Sequence, residues 1–184
     1  MILTGREIAR EVGQGKIHIS PFVSAQITTN SYDVLLGTEM IRYTSRVLDP
    51  KVKPTYKRVP LPPGGYQMKR GEFLLASTHE EIGSDSYVPI LHGKSGVARM
   101  GLFVHLTADL IDIGSHGNLT LQMYATAPVK IYPNMPIAQV SFWKPHGKIV
   151  LYRGKYQHSK GPQPSLLYQY FKKREKKKSS ARKK

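Results

Sequence analysis

The sequence predicts a mainly β domain, an antiparallel sandwich or β-barrel of distorted jelly-roll type that begins with one short helix. Three observations support this fold class. Short apolar segments recur along the 184 residues, and turns rich in the 16 Gly and 13 Pro separate them. A helical apolar period is confined to the N-terminus. Residues 118–124 alternate between apolar and polar, as a strand with one buried face does.

The N-terminal half is predicted to contain one helix and several strands. Thr4 and Glu7 have the spacing of a capping box, and an apolar i, i+4 stripe follows them, so a helix is expected within residues 2–14. The Pro-rich segment 44–63 predicts a long loop. Strands are expected at residues 17–20, 30–37, 72–77 and 87–91.

The C-terminal half is predicted to continue as strands bounded by Pro or Gly. In the alternating segment, Leu119, Leu121 and Met123 point to one face, and Thr120, Gln122 and Tyr124 point to the other. The remaining strands are expected at residues 130–132, 137–143 and 148–151.

Half of the net charge of +16 lies at the C-terminus, where residues 171–184 contain seven Lys, two Arg and one Glu. Such a run cannot bury apolar surface, so we expect a domain over 1–171 and a disordered basic tail over 172–184. The tail would make only weak contacts with polyanions. Cys is absent, which excludes disulfides and Cys-based metal sites. No apolar run reaches the ~20 residues needed to span a bilayer, and a cytoplasmic location is expected.

A small set of polar groups among apolar neighbours suggests a binding site. The Gly-flanked pair Lys94 and Ser95 could bind an anion through backbone N–H groups, or could be an ordinary hairpin. Arg99 could be an exposed strand residue or a phosphate ligand. Asp112 could cap its turn, or could orient a water molecule or a sugar hydroxyl. His spacing typical of a metal site is absent from the sequence.

Several ordered segments resemble the dCTP deaminases. Residues 92–121, HGKSGVARMGLFVHLTADLIDIGSHGNLTL, are similar to the family pattern G-R-S-S-x-A-R-x-G-L-x-V-H-x-T-A followed by I-D-P-G. MILTGREI resembles the usual start of the family, NSYDVLLG one of its strands, and GKYQHSKGPQPSLLYQYF its closing segment. The family is related to the trimeric dUTPases. The resemblance therefore implies a dUTPase-like fold and a homotrimer that binds nucleotide at its subunit interfaces.

The resemblance also implies roles for individual residues. Asp112 would bind the 3′-hydroxyl or the attacking water, and the closing segment 155–171 would cover the nucleotide. Mg²⁺ would bridge the phosphates with mostly water ligands. The implied catalytic residues are Asp112, Arg99, Ser95 and Gln122. The implied nucleotide-binding residues are Lys94, Ser95, Gly96, Arg99, Thr107, Ala108, Asp112, Gln122, Lys155, Tyr156 and Ser159.

One departure from the family pattern concerns the reaction itself. Gln122 stands where the deaminases have their catalytic Glu. Without a carboxylate to move protons, deamination at C4 could be slower by ~10²–10⁴-fold. Hydrolysis of a phosphoanhydride needs only a held triphosphate, neutralising charge and an oriented water. The sequence therefore favours hydrolysis of dUTP to dUMP and pyrophosphate.

Three alternatives remain open from the sequence. The first is a dCTP deaminase in which His105 or Asp109 replaces the missing Glu. The second is a catalytically weak nucleotide-binding regulator. The third is a nucleic-acid-binding module that uses the basic tail.

Overall fold

The computed structural model describes the backbone of residues 1–105 and 107–181, and the side chains of these residues as far as Arg174. The helices are α1 (Gly5–Gly13), α2 (Ser95–Ala98) and α3 (Tyr168–Ala181), with a 3-10 helix at Ser24–Gln26. The strands are β1 (His18–Ser20), β2 (Tyr32–Leu35), β3 (Glu39–Tyr43), β4 (Tyr56–Pro60), β5 (Tyr66–Met68), β6 (Phe73–Gly83), β7 (Val88–Gly93), β8 (Leu102–Phe103), β9 (His116–Ala125), β10 (Val129–Ile131) and β11 (Pro136–Trp143).

The strands pair antiparallel in three sheets. The largest has the order β4-β3-β6-β9-β8, with β1 paired to β6 as its sixth strand. A second sheet has the order β2-β11-β7, and β10 pairs with β5. The prediction of a mainly β fold is confirmed. The sheets are open, so the strands do not close into a single barrel.

The long pair β6 and β9 lies at the centre of the largest sheet. Leu75 is opposite Gln122 and Ala76 is opposite Leu121 in its register. Leu121 and Met123 have no exposed surface, whereas Gln122 between them is partly exposed. The predicted alternation along this strand is therefore confirmed. Its apolar face is held by burial in the core, which leaves its polar face available for a site.

Helix α1 packs on the core through one face. Ile8 is fully buried, and the buried carboxylate of Glu11 accepts a hydrogen bond from the Tyr87 hydroxyl at 2.8 Å. This bond is the largest cause that lowers the pKa of Glu11, and burial raises the pKa of Tyr87 to about 12. The predicted capping box is not formed, because Thr4 makes no side-chain capping bond and Glu7 pairs with Arg10.

The predicted loop over 44–63 is partly wrong. Strand β4 lies within it and pairs with β3 along five residues, from Glu39 opposite Pro60 to Tyr43 opposite Tyr56. The β4 side chains are mostly exposed, so the strand has no apolar alternation that would reveal it. Backbone hydrogen bonds to β3 determine its conformation instead.

Two predictions near the C-terminus also differ from the structure. Residues 148–151 form no strand, and Val150 is 79% exposed. Helix α3 extends from the end of the predicted domain to Ala181, so the backbone of 172–181 is helical where a disordered tail was expected. Residues 182–184 lie outside the described residues, and the boundary at 171 stays a prediction. None of the described helices is long and apolar enough to cross a membrane.

Candidate nucleotide site

A cavity of about 200 Å³ lies along the polar face of β9. Three chain segments form it: β9 itself, the loop before β9, and the segment that follows β11. Strand β9 contributes residues 116–120 and Gln122 to the lining, and its even-numbered positions share one face of the strand. The lining residues used below are His105, Ala108, Asp112, His116, Asn118, Thr120, Gln122, Tyr152, Tyr156 and Ser159.

The closing segment is bound to β9 by a series of hydrogen bonds. The Asn118 backbone N–H donates to the Ser159 carbonyl at 2.9 Å, and the His158 N–H donates to the His116 carbonyl at 2.7 Å. Gly117 has φ of +133°, and a Cβ there would lie 2.6 Å from the Ser159 nitrogen. The close approach of the two segments therefore requires Gly at 117.

Two further side chains fix the position of this segment. The Gln157 amide donates to the Gly114 carbonyl at 2.7 Å, and its oxygen accepts from the His116 N–H at 3.0 Å. The Asn118 oxygen accepts from the Gly161 N–H at 3.0 Å. Because these bonds join residues more than 40 positions apart, they hold one wall of the cavity to the other.

Asp112 is exposed and lines the cavity. The turn that follows it is closed by the backbone, with the Ser115 N–H donating to the Asp112 carbonyl at 3.0 Å. The Asp112 carboxylate makes no hydrogen bond to the described part of the chain, so it does not cap the turn. Of the two roles predicted for it, this geometry favours contact with a ligand or a water molecule in the cavity.

Gln122 lies in the middle of β9, with its side chain at the cavity. Its amide makes no hydrogen bond to any described residue and so can both donate to and accept from a ligand. It also borders a second hollow beside Tyr43 and Gln163. The amide has no basic oxygen, and it cannot exchange protons with substrate as a carboxylate would.

His105 is the nearest candidate for proton transfer, because it also lines the cavity. Its Nε2 bonds to the Ala108 carbonyl, which can only accept, so Nε2 carries the hydrogen of the neutral ring. Its Nδ1 is buried and has no partner among the described residues. The neutral ring therefore has an unused acceptor at Nδ1. Asp109, the other predicted substitute for Glu, is exposed and does not line the cavity.

The predicted phosphate-binding turn lies apart from this cavity. Its residues Lys94, Ser95, Gly96 and Arg99 do not line the cavity, and 95–98 form α2 rather than a hairpin. The Lys94 ammonium pairs with the carboxylate of Asp33. The other three residues are exposed, and no atom lies within 4 Å of a Cβ built at Gly96.

The predicted site residues therefore fall into two groups. Ala108, Asp112, Gln122, Tyr156 and Ser159 come together in the cavity. The residues that the structure does not bring to the cavity are Lys94, Ser95, Gly96, Arg99, Thr107 and Lys155. The Lys155 ammonium instead donates to the Leu166 carbonyl at 3.2 Å.

Five polar lining residues were not predicted from the sequence: Ser115, His116, Asn118, Thr120 and Tyr152. The alternation of β9 could have identified Asn118 and Thr120, because they share a face with Gln122. Tyr152 has no comparable signal, since it lies in irregular chain 30 residues from Gln122.

The residues that line the cavity could hold Mg²⁺ only if most of its ligands came from the substrate phosphates and from water. Asp112 is the single carboxylate among the described residues that line the cavity. Mg²⁺ commonly uses one or two carboxylates together with phosphate oxygens and water. The donor set therefore fits a metal–triphosphate complex, with Asp112 beside it.

Sequence comparisons identify the family of the chain. Residues 2–145 match the family model of dCTP deaminase-like proteins. The protein named "dCTP deaminase, dUMP-forming" of Clostridium beijerinckii is 41% identical over 94% of this chain and 100% of its own length. The protein of the same name from Cytophaga hutchinsonii is 40% identical over the same shares.

A solved structure supports the fold. The crystal structure of 2′-deoxycytidine 5′-triphosphate deaminase from Agrobacterium tumefaciens matches with a TM-score of 0.62 at 19% identity. The match covers 79% of this chain and 48% of that chain, so this chain spans about half the length of that protein. The family match and the relatives together show that the chain belongs to the dCTP deaminase-like family.

Proposed function

We propose that the chain converts dCTP to dUMP, with release of ammonia and pyrophosphate. The reaction consumes two water molecules, one at C4 of the base and one at the α-phosphate. The observation that carries the proposal is the cavity on β9, where Asp112 and Gln122 lie under the closing segment. This cavity lies in a chain that is similar, along almost its whole length, to relatives named "dCTP deaminase, dUMP-forming".

In the phosphate step, Asp112 orients the water that attacks the α-phosphorus. Its carboxylate is exposed to the cavity and makes no hydrogen bond to described residues that would compete. Lys94, Ser95 and Arg99 bind the triphosphate and neutralise the charge that develops on the leaving pyrophosphate. Mg²⁺ bound to the phosphates would add to that neutralisation.

The two groups of residues meet in a complete site only if a second copy of the chain contributes. Within one chain, the turn at α2 does not reach the cavity on β9. A homotrimer would place the turn of one copy beside the cavity of the next, since a closed ring repeats one head-to-tail contact. The exposed side chains of Ser95 and Arg99 are available for this contact.

In the deamination step, His105 carries the proton. Its Nδ1 is buried in this structure, so the step requires that nucleotide binding opens it to the cavity; it then accepts a proton from the water that attacks C4 and returns a proton to the departing amine. Gln122 positions the base through its amide, because it cannot perform this transfer. The proton balance is closed: one water proton passes through the imidazole to the departing ammonia, the other moves from the C4 hydroxyl to N3 of the base as the C4 carbonyl forms, and the imidazole ends each cycle neutral.

Hydrolysis of dUTP alone is the second candidate. Gln122 favours it, because an amide N–H can donate to a uracil carbonyl whereas an ionised carboxylate cannot. The names of the relatives do not support dUTP as the principal substrate, which was our prediction from the sequence. Both candidates include hydrolysis at the α-phosphate. Only the first also includes deamination at C4 of the base.

The His105→Ala variant separates the two candidates. We expect the variant to lose ammonia release from dCTP by at least ~10²-fold and to keep pyrophosphate release from dUTP. Asp109→Asn is the matched control, since it alters a nearby acid outside the cavity. Equal ammonia release from the His105→Ala variant and the wild type would remove His105 from the mechanism. Turnover of neither nucleotide, with a raised melting temperature in their presence, would favour a regulator.

A further inference from the structure

Helix α3 carries a dense cluster of positive charge outside the family match. Residues 172–178 contain five Lys, one Arg and a single Glu, whereas the dCTP deaminase-like match ends at residue 145. Lys172, Lys173 and Arg174 are exposed. The proposed reaction uses none of these cations, so they are available for another role.

The cationic positions of α3 are spread over more than one face of the helix. At 3.6 residues per turn, the six cationic positions between 172 and 178 cover about two-thirds of the helix circumference. An apolar stripe is absent, because the sequence has no apolar residue between Phe171 and Ala181. A helix that lies on a flat membrane needs an apolar face for insertion and a basic face above it. The α3 pattern does not meet that requirement.

Aromatic rings hold two of the cations in the first turns. The Lys172 ammonium lies 5.4 Å from the centre of the Tyr168 ring, and the Arg174 guanidinium lies 5.5 Å from the centre of the Tyr170 ring. Such contacts are attractive and restrict the long side chains. They reduce the entropy that binding would otherwise cost.

The segment directly before α3 is hydrogen-bonded to the domain. The Ser165 N–H donates to the Tyr43 hydroxyl at 2.9 Å, and the Leu166 N–H donates to the Tyr156 hydroxyl at 2.9 Å. Tyr168 borders an apolar hollow formed by the loop at residues 48–54. The basic part of the helix therefore begins directly after an anchored segment.

We propose that α3 binds the phosphate backbone of double-stranded nucleic acid without sequence preference. Its 14 residues are about 21 Å long, a length over which a B-form duplex carries about 12 phosphates. The major groove admits an α-helix and presents phosphates on both of its sides. Cationic positions over most of the helix circumference match this environment, and the rest of the chain adds a further net +11.

Fluorescence anisotropy with a labelled 20-base-pair DNA duplex tests the proposal on the full chain. The test variant changes all six cations of α3 to Gln (K172Q, K173Q, R174Q, K176Q, K177Q and K178Q). The matched control changes five Lys and one Arg on the body of the domain (K51Q, K53Q, K57Q, K69Q, R70Q and K144Q), all of which are exposed. Both variants lose the same charge, and melting curves establish that each is folded.

We expect wild-type binding at 50 mM salt to weaken by ~10³-fold at 200 mM, as for about six phosphate contacts. The α3 variant should bind at least ~10-fold more weakly than the control variant. Equal loss in both variants would overturn the proposal, since net charge alone would then explain binding. Tighter binding to phosphatidylserine vesicles than to duplex would overturn it in favour of a membrane surface.

Discussion

The cavity on β9 and the turn at α2 differ in how completely one chain forms them. The cavity is closed by hydrogen bonds between distant segments, such as Asn118 to Ser159 and Gln157 to Gly114. The turn is open: Ser95 and Arg99 are exposed, and their side chains meet at 3.5 Å. The residues that we propose for the base and the attacking water are thus held together within one chain, whereas those proposed for the phosphates are presented outward. The difference supports a site completed by a second copy.

Loss of the cavity carboxylate should have the largest effect. Asp112→Asn keeps the shape of the side chain but can no longer orient water as a carboxylate does. We expect pyrophosphate release from dUTP to fall by ~10³-fold or more, with the melting temperature unchanged. A coupled pyrophosphate assay measures this. Turnover like that of the wild type would remove Asp112 from the phosphate step.

A new carboxylate in the cavity should have the next largest effect. Gln122→Glu supplies a proton acceptor on the face of β9 that borders the cavity, so we expect ammonia release from dCTP to rise by ~10²-fold. Gln122→Ala is the control, because it removes the amide without adding a base. If ammonia release is the same in the Glu and Ala variants, Gln122 does not lie where C4 of the base is bound.

Mixing two inactive variants tests whether the turn and the cavity come from different copies. Chains with Arg99→Ala and chains with Asp112→Asn would each be inactive alone. When they are refolded together, about a quarter of the sites should combine an intact turn with an intact cavity. Mixing Asp112→Asn with Asp112→Ala is the control, since no intact cavity can form. An inactive Arg99→Ala and Asp112→Asn mixture would contradict a shared site.

A change in the scaffold should have the smallest effect and should leave catalysis intact. Tyr87→Phe removes the strongest hydrogen bond to the buried carboxylate of Glu11, so we expect the melting temperature to fall by roughly 5 °C at neutral pH. Because folding lowers the pKa of Glu11, its stabilisation is present above the usual pKa and is lost as pH falls through the lowered one.

The difference between Tyr87→Phe and the wild type should therefore shrink at about pH 3. Calorimetry at the two pH values measures it, and nucleotide turnover at neutral pH serves as the control. A difference in melting temperature that grew in acid would contradict the role of the Tyr87 hydroxyl. Reduced turnover would show that α1 affects the site.

The sequence predicted the cavity better than the arrangement of the whole site. The alternation over 118–124 correctly placed Gln122 on the face opposite the core, since burial of Leu121 and Met123 determines the orientation of the strand. The separation of Lys94 from Asp112 could not be predicted, because it depends on strand pairing and on a partner 61 positions away, Asp33.

Exposed elements were also difficult to predict. Strand β4 has almost no buried side chain, so its sequence has no apolar period, and backbone pairing with β3 alone fixes it. The tail was expected to be disordered because it has no apolar residues to bury, yet α3 continues through 172–181. Aromatic residues at its start, Tyr168 and Tyr170, contact its first cations.

Product analysis with dCTP tests the central proposal most directly. Purified protein would be incubated with dCTP and Mg²⁺, and ammonia, pyrophosphate and dUMP would be measured together. We predict that the three products appear in equal amounts. Conversion of dUTP to dUMP without any ammonia from dCTP would contradict the proposal and assign the chain to dUTP hydrolysis.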